Sequence, residues 1–477
     1  MASKQKTVKS VIDKYFDNEG NFDVNKASDE ILSIYNIIFV PKQGHFMFNA
    51  KFWINVEKNY IAQLITAEMK EYSKPFYTKQ IIEHIEHKKY IELRYINSNR
   101  NRLILNNGTL DLSDWKDIKF YENKYFPEDY STIHYDWSYD PSAKCPEFMK
   151  YLDSTFKGFE ENINIVQEMF GYCLTTSVRF EKIFIFYGEG STGKSVLIDT
   201  LKTLIGEANY GTVPMSLLSK SFLRASLKDK VINISTEENN SMIKDTAWIK
   251  VISSGDPTEA QFKCKDTFNF NPFCKLVYAM NDLPQIENFD KALRRRFLII
   301  PFNNIFQGKD IDLSLKDGKL HTEMEGIMQF ALEGLKRLAE QEEFSHSNSS
   351  LEQLENYSMD SNHAERFADT YLIDGDIDNF LITNEIYKLY CDFCKIQNDK
   401  PFKSSEFCRI IKRKFGLPEK RKQKKINNQV EDIFEGLKFK DCTNESENVR
   451  PTSLELTEKM AKNKNKILKF GNKSNIA

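Results

Sequence analysis

Long apolar runs are missing from this chain. No stretch approaches the roughly 18 consecutive apolar residues of a membrane span. The N-terminal segment MASKQKTVKSVIDKYFDNEG has no apolar core behind its lysines, so it reads as neither a signal peptide nor an anchor, and a cytosolic protein is expected. Cysteine is sparse as well: eight in 477 residues, scattered rather than paired, which argues against a secreted disulfide framework. The only close pair, Cys391 and Cys394 in LYCDFCK, lacks a second CxxC or CxxH at zinc-finger spacing, so core or helix-packing thiols are expected. Charge of one sign is also absent in bulk. With a net charge of −2, any nucleic-acid binding must come from local basic patches rather than from a whole-chain field. No internal repeat is present.

What is present is a globular composition, 40% hydrophobic and 29% charged, on a chain long enough for about three domains. Residues 1–140 mix helical stretches, DEILSIYNIIF and KQIIEHIEHKKYIELRYI, with strand-like LILNNGTLDL, whose Asn106, Asn107 and Gly108 signal a turn. This is expected to be a separate α/β N-terminal domain. Residues 141–180 read as two amphipathic helices forming a helical collar. From 181 to 345, short apolar strands (KIFIFY, KVINIS, KLVYAM, RFLIIPF) alternate with helices, the pattern of a three-layer α/β/α domain closed by the helix LHTEMEGIMQFALEGLKRLAE. Residues 346–373 are polar, suited to a solvated linker or an exposed helix; 374–450 form a small domain, and 451–477 a basic tail.

The segment GEGSTGKS meets the pattern GxxxxGK[ST] between a strand and a helix, where the pattern has its mechanical meaning. Gly188, Glu189, Gly190, Ser191, Thr192, Gly193, Lys194 and Ser195 form a loop whose backbone N–H groups face phosphate oxygens. Lys194 adds a full charge, and the Ser195 hydroxyl is suited to Mg²⁺. ATP and Mg²⁺ are therefore the expected cofactors. A P-loop also needs an acid at the end of a neighbouring strand. KVINISTEENN supplies Glu237 as a metal-side carboxylate and Glu238 as a general base; the bland reading is a solvated acidic loop. CKLVYAMNDLP ends in Asn281, an amide able to bond the attacking water or the γ-phosphate, or simply a turn residue before proline. KALRRRFLIIPF places Arg294, Arg295 and Arg296 before a strand, either as an arginine finger for a neighbouring subunit or as a surface basic cluster.

The order GEGSTGKS, ISTEE, ISSGDPTEAQFKCKDTFNF, YAMND, RRRFLIIPF resembles the superfamily 3 helicases of the AAA+ class. LILNNGTLDL, DPSAKCPEFMKYL, QEMFGYCLT and EMEGIMQFALEGLKRL look like the phage and plasmid primase-helicases related to the poxvirus replicative helicase. Within that family, the chain looks most like the replication initiators of staphylococcal pathogenicity islands and related cassettes. The resemblance covers residues 100–345. It implies a Walker A pair in Lys194 and Ser195, a Walker B pair in Glu237 and Glu238, a sensor in Asn281, and a finger in Arg295 or Arg296 rather than Arg294. It also implies a pore hairpin, FKCKDTFNF, in which Lys263 and Lys265 track phosphates and Phe262 or Phe268 packs or stacks; a plain solvated hairpin is the alternative.

The same resemblance implies a C-terminal winged-helix domain for origin DNA. Arg409, Lys412, Arg413, Lys414, Lys420, Arg421, Lys422, Lys424 and Lys425 form its basic run, interrupted by one acid, Glu419, and starting on a helix suited to the major groove. A solvated basic loop is the alternative. Priming is not expected, since the residues before LILNNG leave little room for a polymerase-like domain. The function expected is a replicative DNA helicase and replication initiator of a mobile element. Its expected partners are double-stranded origin DNA, single-stranded DNA, further copies in a homo-hexamer, and a separate primase or host replication proteins in the bacterial cytosol. The rivals are a P-loop small-molecule kinase and an ATP-switched origin-binding protein that does not unwind.

Overall fold

The computed structural model describes residues 14–236, 243, 245–263, 266–286, 289–315, 318–361, 363–376, 378–397, 401–426 and 429–440. It is a multidomain α/β structure with a parallel sheet and many helices. Two compact units divide it, Met1–Pro284 with Arg295–Leu351, and Gln285–Arg294 with Glu352–Ala477. Among the described residues, no helix is long and apolar enough to cross a membrane.

In the first unit, β1 (Ile37–Val40), β2 (Gly44–Phe48) and β3 (Trp53–Val56) form an antiparallel sheet. Helices Val24–Ile34, Lys58–Met69 and Pro75–Lys88 bury Ile31, Ile61, Ile65 and Ile81 in one core with Ile37. The stretch DEILSIYNIIF is therefore only partly helical. Its helix stops at Ile34, and the β-branched pair Ile37 and Ile38 opens a strand. Likewise KQIIEHIEHKKYIELRYI leaves its helix after Lys88, and Tyr90 bridges to Phe39. An apolar run of a few residues suits either element until its tertiary neighbours decide.

LILNNGTLDL folds as the expected strand pair, β4 (Arg102–Leu105) and β5 (Gly108–Asp111), extended by β6 (Lys119–Glu122). Its Leu103, Leu105, Leu110 and Leu112 pack in the same core as Phe184, Ile232 and Leu201. These residues were grouped with the N-terminal segment by sequence order, whereas their apolar faces are buried with the segment that follows. The two helices after Pro146, Pro146–Thr155 and Glu161–Leu174, belong to that core too.

The central sheet contains β7 (Ile183–Tyr187), β8 (Tyr210–Gly211), β9 (Ile232–Ser235), β12 (Lys275–Met280) and β13 (Phe297–Pro301), all parallel, in the order β13-β7-β12-β9-β8. β9, β12 and β13 are buried at every position, as expected for strands covered on both faces. β10 (Thr258–Gln261) and β11 (Thr267–Phe270) form the separate hairpin expected from FKCKDTFNF. Two-residue β8 carries no apolar run and is invisible in the sequence. Behind the sheet, helices Glu161–Leu174 and Met324–Gln341 meet at glycines: a Cβ on Gly171 would lie 2.2 Å from the Ala331 carbonyl oxygen, and one on Gly334 2.2 Å from that of Gln167. The carboxylate of Glu168, wholly buried, closes the joint with Arg337 Nε at 2.7 Å and the Ser345 N–H at 2.8 Å.

In the second unit, helices His363–Tyr371, Thr383–Gln397 and Ser404–Lys414 precede a hairpin of β16 (Lys422–Ile426) and β17 (Gln429–Glu435). β15 (Phe380–Ile382) pairs with β17, while β14 (Leu372–Asp374) pairs with β18 (Leu437–Phe439). The polar stretch 346–373 is helical over Asn348–Ser361 and His363–Tyr371, and the latter inserts Ala364, Phe367 and Ala368 into this core. A single apolar stripe on an otherwise polar sequence is enough for a helix to dock. Cys391 and Cys394 lie on helix Thr383–Gln397, and Cys394 is buried. No group of three or more metal-ligating side chains occurs among the described residues.

Two measurements check the packing. Gly334→Ala is expected to cost about 1–3 kcal/mol in urea unfolding, because backbone rather than a flexible side chain must move. Lys275, 2% exposed, donates to the Thr175 carbonyl and lies 5.1 Å from the Tyr172 ring centre. Burial pushes its ammonium from the ordinary 10.5 down to about 7. Between these values the unfolded chain holds the proton and the folded one does not, so this group adds stability as pH rises. Lys275→Met is thus expected to be more stable than wild type at pH 7, with the difference shrinking toward pH 10 in denaturation curves.

Candidate nucleotide site

The loop between β7 and helix Lys194–Ile205 bends where only glycine fits. Gly188 has φ +153, and a Cβ there would stand 2.4 Å from the Phe302 carbonyl oxygen. Gly193, with φ +93, caps the helix in the left-handed region. The first N–H groups of any helix lack intrahelical partners, so this start presents donors and a positive dipole end. Lys194 Nζ donates to the carbonyls of Gly188 at 2.5 Å and Glu189 at 2.6 Å, and lies 3.3 Å from Thr192 Oγ1. Burial lowers its pKa.

The loop opens into a cavity of about 870 Å³. Gly190, Ser191, Thr192, Gly193, Lys194 and Ser195 line it, as does Asn281 just past β12, so these expected residues share one wall. All stand at the carboxyl ends of parallel strands, where open α/β sheets hold ligands. Gly188 and Glu189 contribute the carbonyls that hold Lys194. Thr236, just past β9, is also in the lining. Glu237 and Glu238 follow it in sequence and lie outside the described residues.

Several lining residues carry no motif. Helix Pro146–Thr155 brings Glu147, Lys150, Tyr151 and Ser154, and the segment after β13 brings Phe306, Asp310, Ile311 and Asp312. Tyr151 is buried, its phenol pKa raised by burial, and its hydroxyl donates to the Gly193 carbonyl at 2.9 Å. The Phe306 N–H donates to the Ser191 carbonyl at 2.9 Å. Lys319 bridges Glu147 at 2.8 Å and Asp312 at 3.5 Å, joining these two walls. Nothing in a single sequence marks Tyr151, because it meets the loop only through the tertiary fold.

The arginines stand elsewhere. Phe297 pairs with Ile183, so Arg295 and Arg296 precede the amino-terminal end of the sheet, about 16 Å along β7 from the phosphate loop. Arg295 is exposed and bonds Glu181 at 2.7 Å. Arg296, 6% exposed, bonds Glu181 at 2.6 Å, Ser254 Oγ at 2.8 Å and Ser253 Oγ at 3.2 Å. The guanidinium of Arg296 is thus engaged by partners within its own chain. Arg294 pairs with Glu355.

At the hairpin, Lys263 is exposed beside Phe262, whose ring stacks on Phe268 at 4.9 Å. Lys265 lies outside the described residues. In the second unit, Arg409, Lys412, Arg413 and Lys414 fall on helix Ser404–Lys414, whereas Lys422, Lys424 and Lys425 fall on β16, with Lys420 and Arg421 between. Much of the helix charge is internally matched: Arg409 with Glu406 at 3.3 Å, Arg413 with Glu365 at 3.0 Å, Lys414 with Asp369 at 2.6 Å. Lys412 Nζ donates to the Glu419 carbonyl at 2.9 Å. On the hairpin side, Arg421 faces Asp432 at 3.5 Å, Lys422 pairs with Glu435, and Lys424 lies 4.0 Å over the Phe380 ring.

With this geometry in view, the chain's likenesses fall on the same segments. Residues 28–157 match a family model described as D5 N terminal like, and residues 186–296 match a family of unknown function, DUF5906. "Putative helicase 184R" of Invertebrate iridescent virus 6 is 27% identical over 249 residues, 47% of this chain and 24% of that protein. "Putative helicase L207/L206" of Acanthamoeba polyphaga mimivirus is 29% identical over 172 residues, 32% of this chain and 18% of that one. Both are viral proteins with helicase in their names. The matched stretches span under a quarter of their length. Among solved structures, the apo A form of the NrS-1 C-terminal region shares the fold, with TM-score 0.52, 14% identity, and coverage of 86% of this chain and 98% of that one.

One hydrogen bond at this site is directly measurable. Tyr151→Phe keeps the ring and removes the donor to Gly193, and is expected to weaken nucleotide affinity by about 1 kcal/mol, read by titration of a fluorescent ATP analogue.

Proposed function

We propose that the chain is an ATP-driven DNA helicase that initiates replication of a mobile element. The observation that carries this reading is the placement of the phosphate loop and the arginine cluster at opposite ends of one sheet. About 16 Å of strand puts Arg295 out of reach of the phosphate loop of its own chain, which supports a role for it at the site of a neighbouring copy in a ring. A homo-hexamer of superfamily 3 type is the assembly proposed.

The strand order β13-β7-β12-β9-β8, with the phosphate loop on β7 and Asn281 on the adjoining β12, supports an AAA+ motor. The viral relatives whose names call them helicases support strand separation as its work. The described donor set fits a nucleoside triphosphate with Mg²⁺: backbone N–H groups and Lys194 for phosphate and the exposed Ser195 hydroxyl for the metal; Glu237 is proposed from the sequence as the metal's carboxylate. When bound, Mg²⁺ supplies charge neutralisation at the β- and γ-phosphate oxygens. Asn281 orients the attacking water, Glu238 takes its proton, and Arg295 of the adjacent copy stabilises charge developing on the transferred phosphoryl group.

Single-stranded DNA passes the hairpin of β10 and β11, gripped by Lys263 and Lys265. Origin duplex is held by the second unit read as a winged helix, with Ser404–Lys414 as the groove helix and β16–β17 as the wing. The host cytosol is its place, with a separate primase or host replication proteins as partners.

The test is ATP-dependent unwinding of a forked duplex. Wild type is expected to unwind and Lys194→Ala to fail. Unwinding by the variant contradicts the site assignment, and failure of both contradicts helicase activity and favours an ATP-switched binder. For the second unit, combined Lys420→Glu, Lys424→Glu and Lys425→Glu is expected to weaken origin binding and flatten its salt dependence in anisotropy titrations, leaving basal ATPase unchanged.

A further inference from the structure

Helix Ala247–Ser254 precedes the hairpin of β10 and β11 in the chain. Its Ile249 and Ile252 are buried, so one apolar side seats it on the core. Gly255, Asp256 and Pro257 alone separate its last turn from β10. Gly255 turns left-handed there, and a Cβ on it would stand 2.7 Å from Val178 Cγ2 and 3.0 Å from the Pro272 carbonyl oxygen. The hairpin is therefore joined to the helix by a short, confined connection.

A second joint closes the same junction. Arg224, 3% exposed, holds its guanidinium carbon 3.5 Å from the ring centre of Trp248, in the first turn of the helix. Its Nε and Nη2 both donate to the Glu259 carbonyl of β10, at 3.2 and 3.0 Å. Its Nη1 donates to the carbonyls of Leu218 and Ser219, at 2.9 and 2.6 Å. A buried charge is costly unless its donors are met, and here they are met by backbone from two separate segments. The planar fork of arginine suits this task, which the point charge of a lysine does not.

The other end of the helix meets the arginine cluster. Arg296 donates to Ser253 Oγ at 3.2 Å and Ser254 Oγ at 2.8 Å, while Glu181 accepts from Arg296 at 2.6 Å and from exposed Arg295 at 2.7 Å. Bonded and packed groups thus run without a break from Arg295 through Glu181, Arg296 and the two serines into the helix. They leave it through Trp248 and Arg224 to reach β10.

We propose that helix Ala247–Ser254 transmits the state of the subunit interface to the hairpin that grips DNA, with Arg224 as the positioning residue at its hairpin end. This rests on the reading of Arg295 as a finger for a neighbouring copy. Engagement of Arg295 by the phosphate bound to that copy withdraws one of the two guanidinium groups on Glu181. Arg296 readjusts against the serines, and helix and hairpin move together. Each nucleotide therefore sets the hairpin of the subunit that supplies its arginine.

The experiment measures this coupling at equilibrium. Binding of the full chain to fluorescent oligothymidine is titrated by anisotropy with and without a nonhydrolysable ATP analogue and Mg²⁺, and the ratio of the two dissociation constants is read. In wild type the two are expected to differ by at least about fivefold. Arg224→Met should bring the ratio close to unity, as should Ser253→Ala combined with Ser254→Ala at the far end of the helix. Both variants should bind the analogue as wild type does. A merely structural role lowers the active fraction and leaves the ratio in place, and a lost DNA contact weakens both constants alike. A ratio retained in either variant, once circular dichroism shows it folded, overturns the proposal; if Arg224→Met does not fold, the serine pair decides. A wild type that unwinds forked duplex with a ratio of unity overturns the proposal and leaves the helicase reading standing. A wild type that neither unwinds nor binds oligothymidine contradicts that reading, and the proposal with it.

Discussion

The cavity proposed to hold the nucleotide depends on the turn that carries the chain out of β7 into helix Lys194–Ile205. Gly188 passes so close to the Phe302 carbonyl that a single methyl would not fit, and Gly193 turns the backbone left-handed to start the helix. Both constraints come from neighbours: β13 crowds one side, and Tyr151 bonds the loop on the other. A loop of small residues left to itself would sample many conformations, at a conformational cost of about 1–2 kcal/mol for each residue ordered. Here contacts with the Phe302 carbonyl and the Tyr151 hydroxyl restrict it.

That core explains why distant segments belong to one machine. Leucines of the β4–β5 hairpin, the helices after Pro146 and helix Met324–Gln341 all bury apolar faces with the sheet. The closest helix joint is set by backbone contact at Gly171 and Gly334. Tyr151 is held rigidly enough to position Gly193 because its own helix is locked into this packing. The same sheet sets the distance between phosphate loop and arginines, and with it the need for a neighbouring subunit in the function proposed.

The strand, loop and helix around residues 188–195 were legible because their information is local: glycines, lysine and serine at fixed spacing, flanked by a strand and a helix. β7, β9, β12 and β13 were legible as apolar runs, for buried parallel strands need no polar face. What the sequence concealed is what depends on partners far along the chain. Two-residue β8 has no pattern of its own. Ile37 and Ile38 continue an apparent helix in sequence, yet form a strand against β2. Arg295 and Arg296 are alike in sequence and opposite in exposure, because the serines at the end of helix Ala247–Ser254 draw one guanidinium inward. Tyr151 gave no signal, since it meets Gly193 from a separate element of the chain.

The most direct test of a site shared between subunits mixes two damaged proteins. Lys194→Ala lacks the phosphate grip, and Arg295→Ala lacks the finger. Neither alone should hydrolyse ATP with forked DNA present. In a mixed ring, some interfaces pair the intact lysine of one variant with the intact arginine of the other, so turnover should reappear on mixing. Full activity of Arg295→Ala alone, or no recovery from mixtures shown by native mass spectrometry to contain both chains, would contradict the account.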